Sequence, residues 1–193
     1  MSAEPFKKLY LGLVHYPITS KYGTTITTAV TNLDVHDIAR TCTTYGVKRY
    51  FVINPLDSQI MLTERILEYW RGTSPAKRVP DRHNALQVVE IKTSIEKAIE
   101  RIKELEGQDP IVVATSARES SSRISFSDFG KVLESGNQPV LLLFGTGYGL
   151  ADEIMNNADY VLDPIKGRGD YNHLSVRSAV AIILDRLLGQ QDL

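Results

Sequence analysis

The run Val140-Leu-Leu-Leu-Phe144 is apolar at every position and passes straight into Gly145-Thr-Gly-Tyr-Gly149-Leu150. A strand with one wet face alternates apolar and polar residues, whereas a strand without alternation is buried on both faces. Such a strand belongs inside a parallel sheet with helices on either side, which confines the chain to an α/β architecture. The rest of the sequence agrees. Further strand-like runs occupy residues 9–15, 49–53, 88–91, 111–115 and 160–162. Between them, apolar residues recur at helical spacing over 32–45, 58–71, 95–105, 126–134, 151–156 and about 174–188. Gly46 is placed to end the first helix in a left-handed conformation. Residues 20–31 and 72–84, the latter with Pro75 and Pro80, read as polar loops. With 193 residues and this unbroken alternation, residues 1–193 are expected to form a single domain.

The glycine turn is the strongest local indication of a site. Glycine tolerates positive φ and lets a ligand approach the main chain. The turn also falls at the carboxyl edge of a parallel sheet, where α/β proteins bind ligands. Gly147 has a glycine close on each side to absorb backbone strain, so its own expected duty is to clear space for a ligand. Asp163 at the end of the next strand imitates a ribose-binding acid, but only one clear helix follows it. No strands remain for a nucleotide half, which excludes a dinucleotide fold. The polar segment from Asp163 to Ser175 is a second candidate: Asn172, His173 or Ser175 can cap the last helix. On the first helix, His36, Asp37 and Arg40 fall on one polar face by their spacing, with Asp37 and Arg40 a potential ion pair.

Charge and cysteine content exclude several classes. A net charge of -1 gives no overall field for nucleic acid, so any such contact rests on local groups such as Lys77, Arg78, Arg82, Arg118 and Arg123. Cys42 is the single cysteine, which removes an internal disulfide and a cysteine zinc cluster and suits a reducing, cytoplasmic setting. The four histidines are scattered, so no metal site is expected. The start of the chain lacks the apolar length of a signal peptide or membrane helix.

Three segments, in order, resemble the SPOUT methyltransferases, and their SpoU branch above all. They are Asp34-Val-His-Asp-Ile-Ala-Arg40-Thr41 with Tyr45-Gly46-Val47, then Leu142-Leu-Phe-Gly-Thr-Gly-Tyr-Gly-Leu150, then Asn172-His-Leu-Ser-Val-Arg-Ser-Ala179. Nearly the whole chain is similar to a small bacterial group of stand-alone RNA methyltransferases of that class. The signature includes His15-Tyr-Pro17, Thr28-Ala-Val-Thr-Asn-Leu-Asp34 and Asn172-His-Leu-Ser-Val-Arg177.

The resemblance implies an α/β fold with a C-terminal trefoil knot, and S-adenosyl-L-methionine held bent within it by main chain. The implied cofactor residues are Thr115, Ser116 and Ala117; Phe144, Gly145, Thr146, Gly147, Gly149 and Leu150; and Ile165, Leu174, Ser175 and Ala179. It further implies that Arg40 holds an RNA phosphate or orients the target, and that Asp170 or His173 accepts a leaving proton. A homodimer formed through the first and last helices, acting on tRNA or rRNA, completes the expectation. The chain departs from the SpoU pattern in four places. It has no Glu in the glycine turn, Ser175 stands where that branch has Asn, and Asp34 and His36 replace Asn and Gly. The competing expectation is a cofactor-binding RNA-binding or regulatory protein without methyltransferase activity.

Overall fold

The computed structural model describes residues 8–118, 123–169 and 171–189. Asp170 lies outside them. The elements run β1 (Leu9–Val14), β2 (Ile18–Thr19), β3 (Thr25–Ile26), α1 (Asn32–Thr44), β4 (Arg49–Ile53) and α2 (Asp57–Arg71). Next come α3 (Thr73–Arg78), α4 (Pro80–Ala85), a 3-10 turn (Leu86–Val88), β5 (Val89–Lys92), α5 (Ile95–Glu106) and β6 (Ile111–Thr115). The chain continues with α6 (Phe126–Ser135), β7 (Val140–Gly145), α7 (Asp152–Asn157), β8 (Tyr160–Leu162) and α8 (Val176–Leu188).

Six strands form one sheet in the order β5-β4-β1-β7-β6-β8, and every pairing in it is parallel. β1 and β7 lie at its centre, and all six residues of β1 are buried. The absence of alternation has the expected cause. Leu9, Leu11, Leu13, Leu142 and Phe144 pack on one face against Val35, Ile38, Phe129, Val180 and Leu184 of α1, α6 and α8. Tyr10, Val14, Leu141 and Leu143 pack on the other against Ala98, Ile102 and Ile154 of α5 and α7.

Helix ends follow local chemistry. The side chains of Thr31, Ser94, Ser125 and Ser175 each accept a backbone N–H of the helix they begin. Gly46 has φ +72° just beyond α1, as its position predicts.

The sequence reading differs from the structure in three places. Residues 72–84 are not a loop, since α3 and α4 occupy most of them. Pro75 and Pro80 sit in the first turns of these helices, where no intrahelical N–H is needed, so they start helices rather than break them. Within the supposed loop at 20–31, β3 pairs with β2 in a two-stranded hairpin. His36 is not on a polar face: it is buried, with its ring edge-on to Trp70. Asp37 turns instead toward α8, 3.5 Å from the Arg177 guanidinium, and not to Arg40.

Candidate cofactor cleft

The carboxyl ends of β6, β7 and β8 open into one cleft of about 790 Å3. This is within the roughly 300–1,000 Å3 of small-molecule sites. Its first wall is Thr115, Ser116, Ala117 and Arg118. The second is Phe144 to Gly149, and the third runs through Asp163, Pro164, Ile165 and Asn172 to Val176, with Ala179 and Ile183 behind. Thr28, Ala29, Thr31 and Asp34 close the remaining side.

Hydrogen bonds lock the walls to one another. The Asn172 side-chain amide donates to the Ala117 carbonyl at 3.3 Å, and the Arg118 guanidinium donates to the Tyr148 carbonyl at 2.9 Å. Asp34 is buried, and both its oxygens are engaged. The Thr31 hydroxyl donates to one at 2.6 Å and the Arg177 guanidinium to the other at 2.9 Å, so Asp34 ties α1 to α8 beside the cleft.

Two glycines of the turn have different duties. A Cβ on Gly145 would stand 2.5 Å from the Leu150 nitrogen and 2.8 Å from the Gly149 carbonyl carbon, because the turn closes back on its own strand. A Cβ on Gly147 would make ordinary 3.5 Å contacts with Ile18 and Thr28, on the side backed by β2. What demands glycine there is φ +55°, so backbone conformation replaces ligand clearance as its reason.

Behind the turn lies a buried polar chain. His15 Nδ1 is 3.0 Å from the Thr28 hydroxyl, which is 2.5 Å from the Thr146 hydroxyl. The Thr146 hydroxyl donates to the Val14 carbonyl at 3.1 Å. Each hydroxyl hydrogen then serves once, which assigns the ring proton to Nδ1. His15 Nε2 is buried and has no partner among the described residues. Burial is the main cause that lowers the His15 pKa to about 4, only partly offset by Asp34.

Of the thirteen cofactor positions inferred from sequence, twelve line the cleft and Leu150 does not. Leu150 is buried, bridging to Ile18 of β2. His173 lines the cleft, whereas Arg40 is exposed on α1 outside it. Arg118 and Arg123 are committed inside the protein. Arg118 also faces Asp152 at 3.6 Å, and the Arg123 guanidinium donates to the Leu162 carbonyl. The wall from Thr28 to Asp34 and the His15 chain escaped sequence reasoning. The available signal was the Thr28-to-Asp34 motif itself, since a parallel pairing of β1 with β7 brings the segment after β1 to the glycine turn.

A parallel sheet whose carboxyl edge holds an apolar, main-chain-lined cleft defines an α/β protein that binds a nucleoside-type cofactor. Residues 8–189 match the family described as SAM-dependent RNA methyltransferase, and the chain belongs to that family. Its cofactor is therefore S-adenosyl-L-methionine and its reaction methyl transfer to RNA.

A protein of undefined function from Aquifex aeolicus is 38% identical over 184 residues, covering 95% of this chain and 90% of its own length. A tRNA (guanine-N(1)-)-methyltransferase of Nitratidesulfovibrio vulgaris is 42% identical over 186 residues, 96% of this chain. This chain spans only 43% of that enzyme and 43% of a second of the same name from Oleidesulfovibrio alaskensis. Among solved structures, a putative methylase family protein of Neisseria gonorrhoeae superposes with TM-score 0.65 at 16% identity, over 99% of this chain and 86% of that one. A SpoU methyltransferase of Streptomyces viridochromogenes in complex with AdoMet does so with TM-score 0.58 at 16% identity, over 93% and 56%. These likenesses establish a shared fold.

The cleft suits the cofactor. Phe144, Ile165, Leu174, Ala179 and Ile183 offer apolar cover for a purine, and three loops bring main-chain groups to its edge. Asp163 also lines the cavity and adds an acidic residue to its wall. Neither a helix long and apolar enough to cross a membrane nor a cluster suited to a metal ion occurs among the described residues.

Proposed function

We propose that this protein is a cytoplasmic homodimer that methylates one nucleotide of a structured tRNA or rRNA, with residues 1–193 acting as one domain. The observation that carries the reading is the convergence of three loops from β6, β7 and β8 on one apolar cleft. The loop residues from Thr115 to Ala117, Phe144 to Gly149 and Ile165 to Ser175 would hold S-adenosyl-L-methionine, with Ala179 behind. When bound, the cofactor supplies a methyl group already activated on a sulfonium, so the chain's task is positioning. Arg40 grips an RNA phosphate with a rigid guanidinium fork. His173, at the cleft wall, takes the proton when the acceptor must lose one; Asp170, three positions earlier in the sequence and outside the described residues, is the other candidate.

A trefoil knot is part of this reading. β8 pairs with β6 on one side and bridges to Ile124 on the other. That arrangement supports a threaded C-terminal segment.

The dimer rests on apolar surface that the fold leaves open. Val180, Ile183 and Leu184 of α8 are buried, while Leu33 of α1 is 59% exposed and Leu174 46%. Light scattering should give twice the 21.5 kDa of one chain at micromolar concentration. A monomer mass there would remove the dimer.

The decisive assay is transfer of radiolabelled methyl from S-adenosylmethionine to total RNA of a strain lacking this gene. Label should enter RNA, and purified tRNA digested to nucleosides tests a guanine N1 product. Arg40→Ala should depress transfer on the order of 10–100-fold, the worth of a charge-assisted phosphate contact. Its affinity for S-adenosylhomocysteine should not change. RNA that stays unlabelled while cofactor binds would favour the non-catalytic alternative.

A further inference from the structure

A second surface, built by α2, α3 and α4 against α1, takes no part in the cleft. Trp70 is at its centre. The His36 ring meets Trp70 edge-on, with centroids 5.2 Å apart, and Tyr69 meets it edge-on at 5.3 Å. The Arg82 guanidinium lies over the Trp70 face, 4.8 Å from its centroid. Arg78 donates to the Tyr69 hydroxyl at 3.3 Å, and Tyr69 itself is 55% exposed. Arg40 follows His36 by one helical turn. Burial lowers the His36 pKa, and the charge of Arg82 adds to this, with Asp37 opposing and Arg40 contributing least.

The charge is unbalanced. Arg40, Arg78 and Arg82 form no ion pair among the described residues. From residue 72 to 85 the sequence holds Lys77, Arg78 and Arg82 against Asp81, a local excess of +2 in a chain of net charge -1. Edge-to-face rings beside guanidinium groups that no carboxylate neutralises suit a single-stranded nucleic acid: the cations hold phosphates, and the exposed Tyr69 ring receives an unstacked base. An acidic protein would satisfy the cations but leave the aromatic array without a purpose.

We propose that this ledge docks an unpaired stretch of RNA beside the nucleotide to be methylated, an inference that rests on the methylation reading above. Helix α1 joins the two surfaces. Asp34 lines the cleft, and Arg40 lies six residues further on, about 9 Å along the axis. The ledge thus lies a short way along α1 from the cleft, with Arg40 outside the cleft on the ledge side.

Trp70 is the only tryptophan, so its fluorescence reports on the ledge alone. The whole protein is titrated with oligouridylate and with labelled bulk tRNA over a range of salt concentrations. Oligouridylate should quench Trp70. The double variant Arg78→Ala/Arg82→Ala should bind tRNA about tenfold more weakly, with a salt slope shallower by about two. Tyr69→Ala should lose affinity without changing that slope, because stacking releases no counterions. S-adenosylhomocysteine affinity should match the unsubstituted protein in both variants, and the melting temperature should fall by only a few degrees, the cost of the lost contacts with Trp70. If the unsubstituted protein binds and methylates RNA while these variants bind equally well and Trp70 stays silent, the ledge proposal falls and the methylation reading stands. Competition by polyglutamate as effective as that by oligouridylate would make the ledge a protein-docking surface and overturn the RNA assignment. Failure of the unsubstituted protein to bind or methylate any RNA would sink both.

Discussion

Gly145→Ala should destabilise the protein by about 3 kcal/mol, the upper part of the range for overpacking a well-filled site. It should also weaken S-adenosylhomocysteine binding on the order of tenfold or more. The new methyl group would meet main chain, not a side chain that can rotate away: the Leu150 nitrogen at 2.5 Å and Gly149 at 2.8 Å. Nor can the turn easily retreat. The Gly149 carbonyl accepts from Thr19, the Gly149 N–H donates to the Thr146 carbonyl, and Ala151 donates to the Pro17 carbonyl. Relief requires breaking some of these bonds or pushing the turn into the cleft it lines. Gly147→Ala, with φ +55° and no close contact, should lose only about 1–2 kcal/mol through backbone strain. Thermal melting and titration calorimetry on the pair decide the matter. A Gly145→Ala protein that melts and binds normally would show that the turn is not the closed structure described.

Acidification should remove about 2.5 kcal/mol of stability between pH 7.5 and 4.5 through His15 alone. The folded protein holds this ring neutral down to about pH 4, while in the unfolded chain it protonates near 6.5. Between these values the unfolded state binds more protons, so stability is complete above pH 6.5 and falls as pH drops toward 4. The cause is geometric: a proton added to Nε2 would be buried without an acceptor among the described residues. His36 acts in the same direction, since burial lowers its pKa as well. His15→Asn keeps a donor near the Thr28 hydroxyl and removes the titration. Its stability, followed by denaturant unfolding, should lose about 2.5 kcal/mol less across that pH range. An unchanged pH dependence would mean that His15 is not held neutral. Because Thr146 belongs to both the polar chain and the glycine turn, cofactor affinity should hold across that interval and weaken only near pH 4, where the folded ring takes its proton.

The sheet was legible because its evidence is local. Val140 to Phe144 carries no polar residue, and segments with apolar residues at helical spacing alternate with the strands around it. Two of the three main-chain walls of the cleft followed from glycines and a polar loop at strand ends; the first, after β6, came only through the family resemblance. What failed was information spread across the fold. The partner of Asp37 is Arg177, 140 positions away and invisible to helical spacing. His36 looked polar on α1 because helical spacing says nothing of Trp70, which α2 brings against it, and because Arg82 comes from a helix in the segment read as a proline-containing loop. The wall from Thr28 to Asp34 depended on β1 lying beside β7, a pairing that strand order in the sequence does not announce.

The bond between Arg177 and Asp34 spans 143 residues, and the cleft beside it draws walls from both ends of that interval. During synthesis β1 would emerge early yet wait for β7 to cover its second edge. A chain lacking α8 would keep Asp163 to Ser175 but lose Val176, Ala179 and Ile183 and the Arg177 clasp on Asp34, so it should hold cofactor poorly. Long-range closure of this kind is slow compared with local helix formation. Binding of the cofactor would therefore report that these two distant parts of the chain have closed on each other.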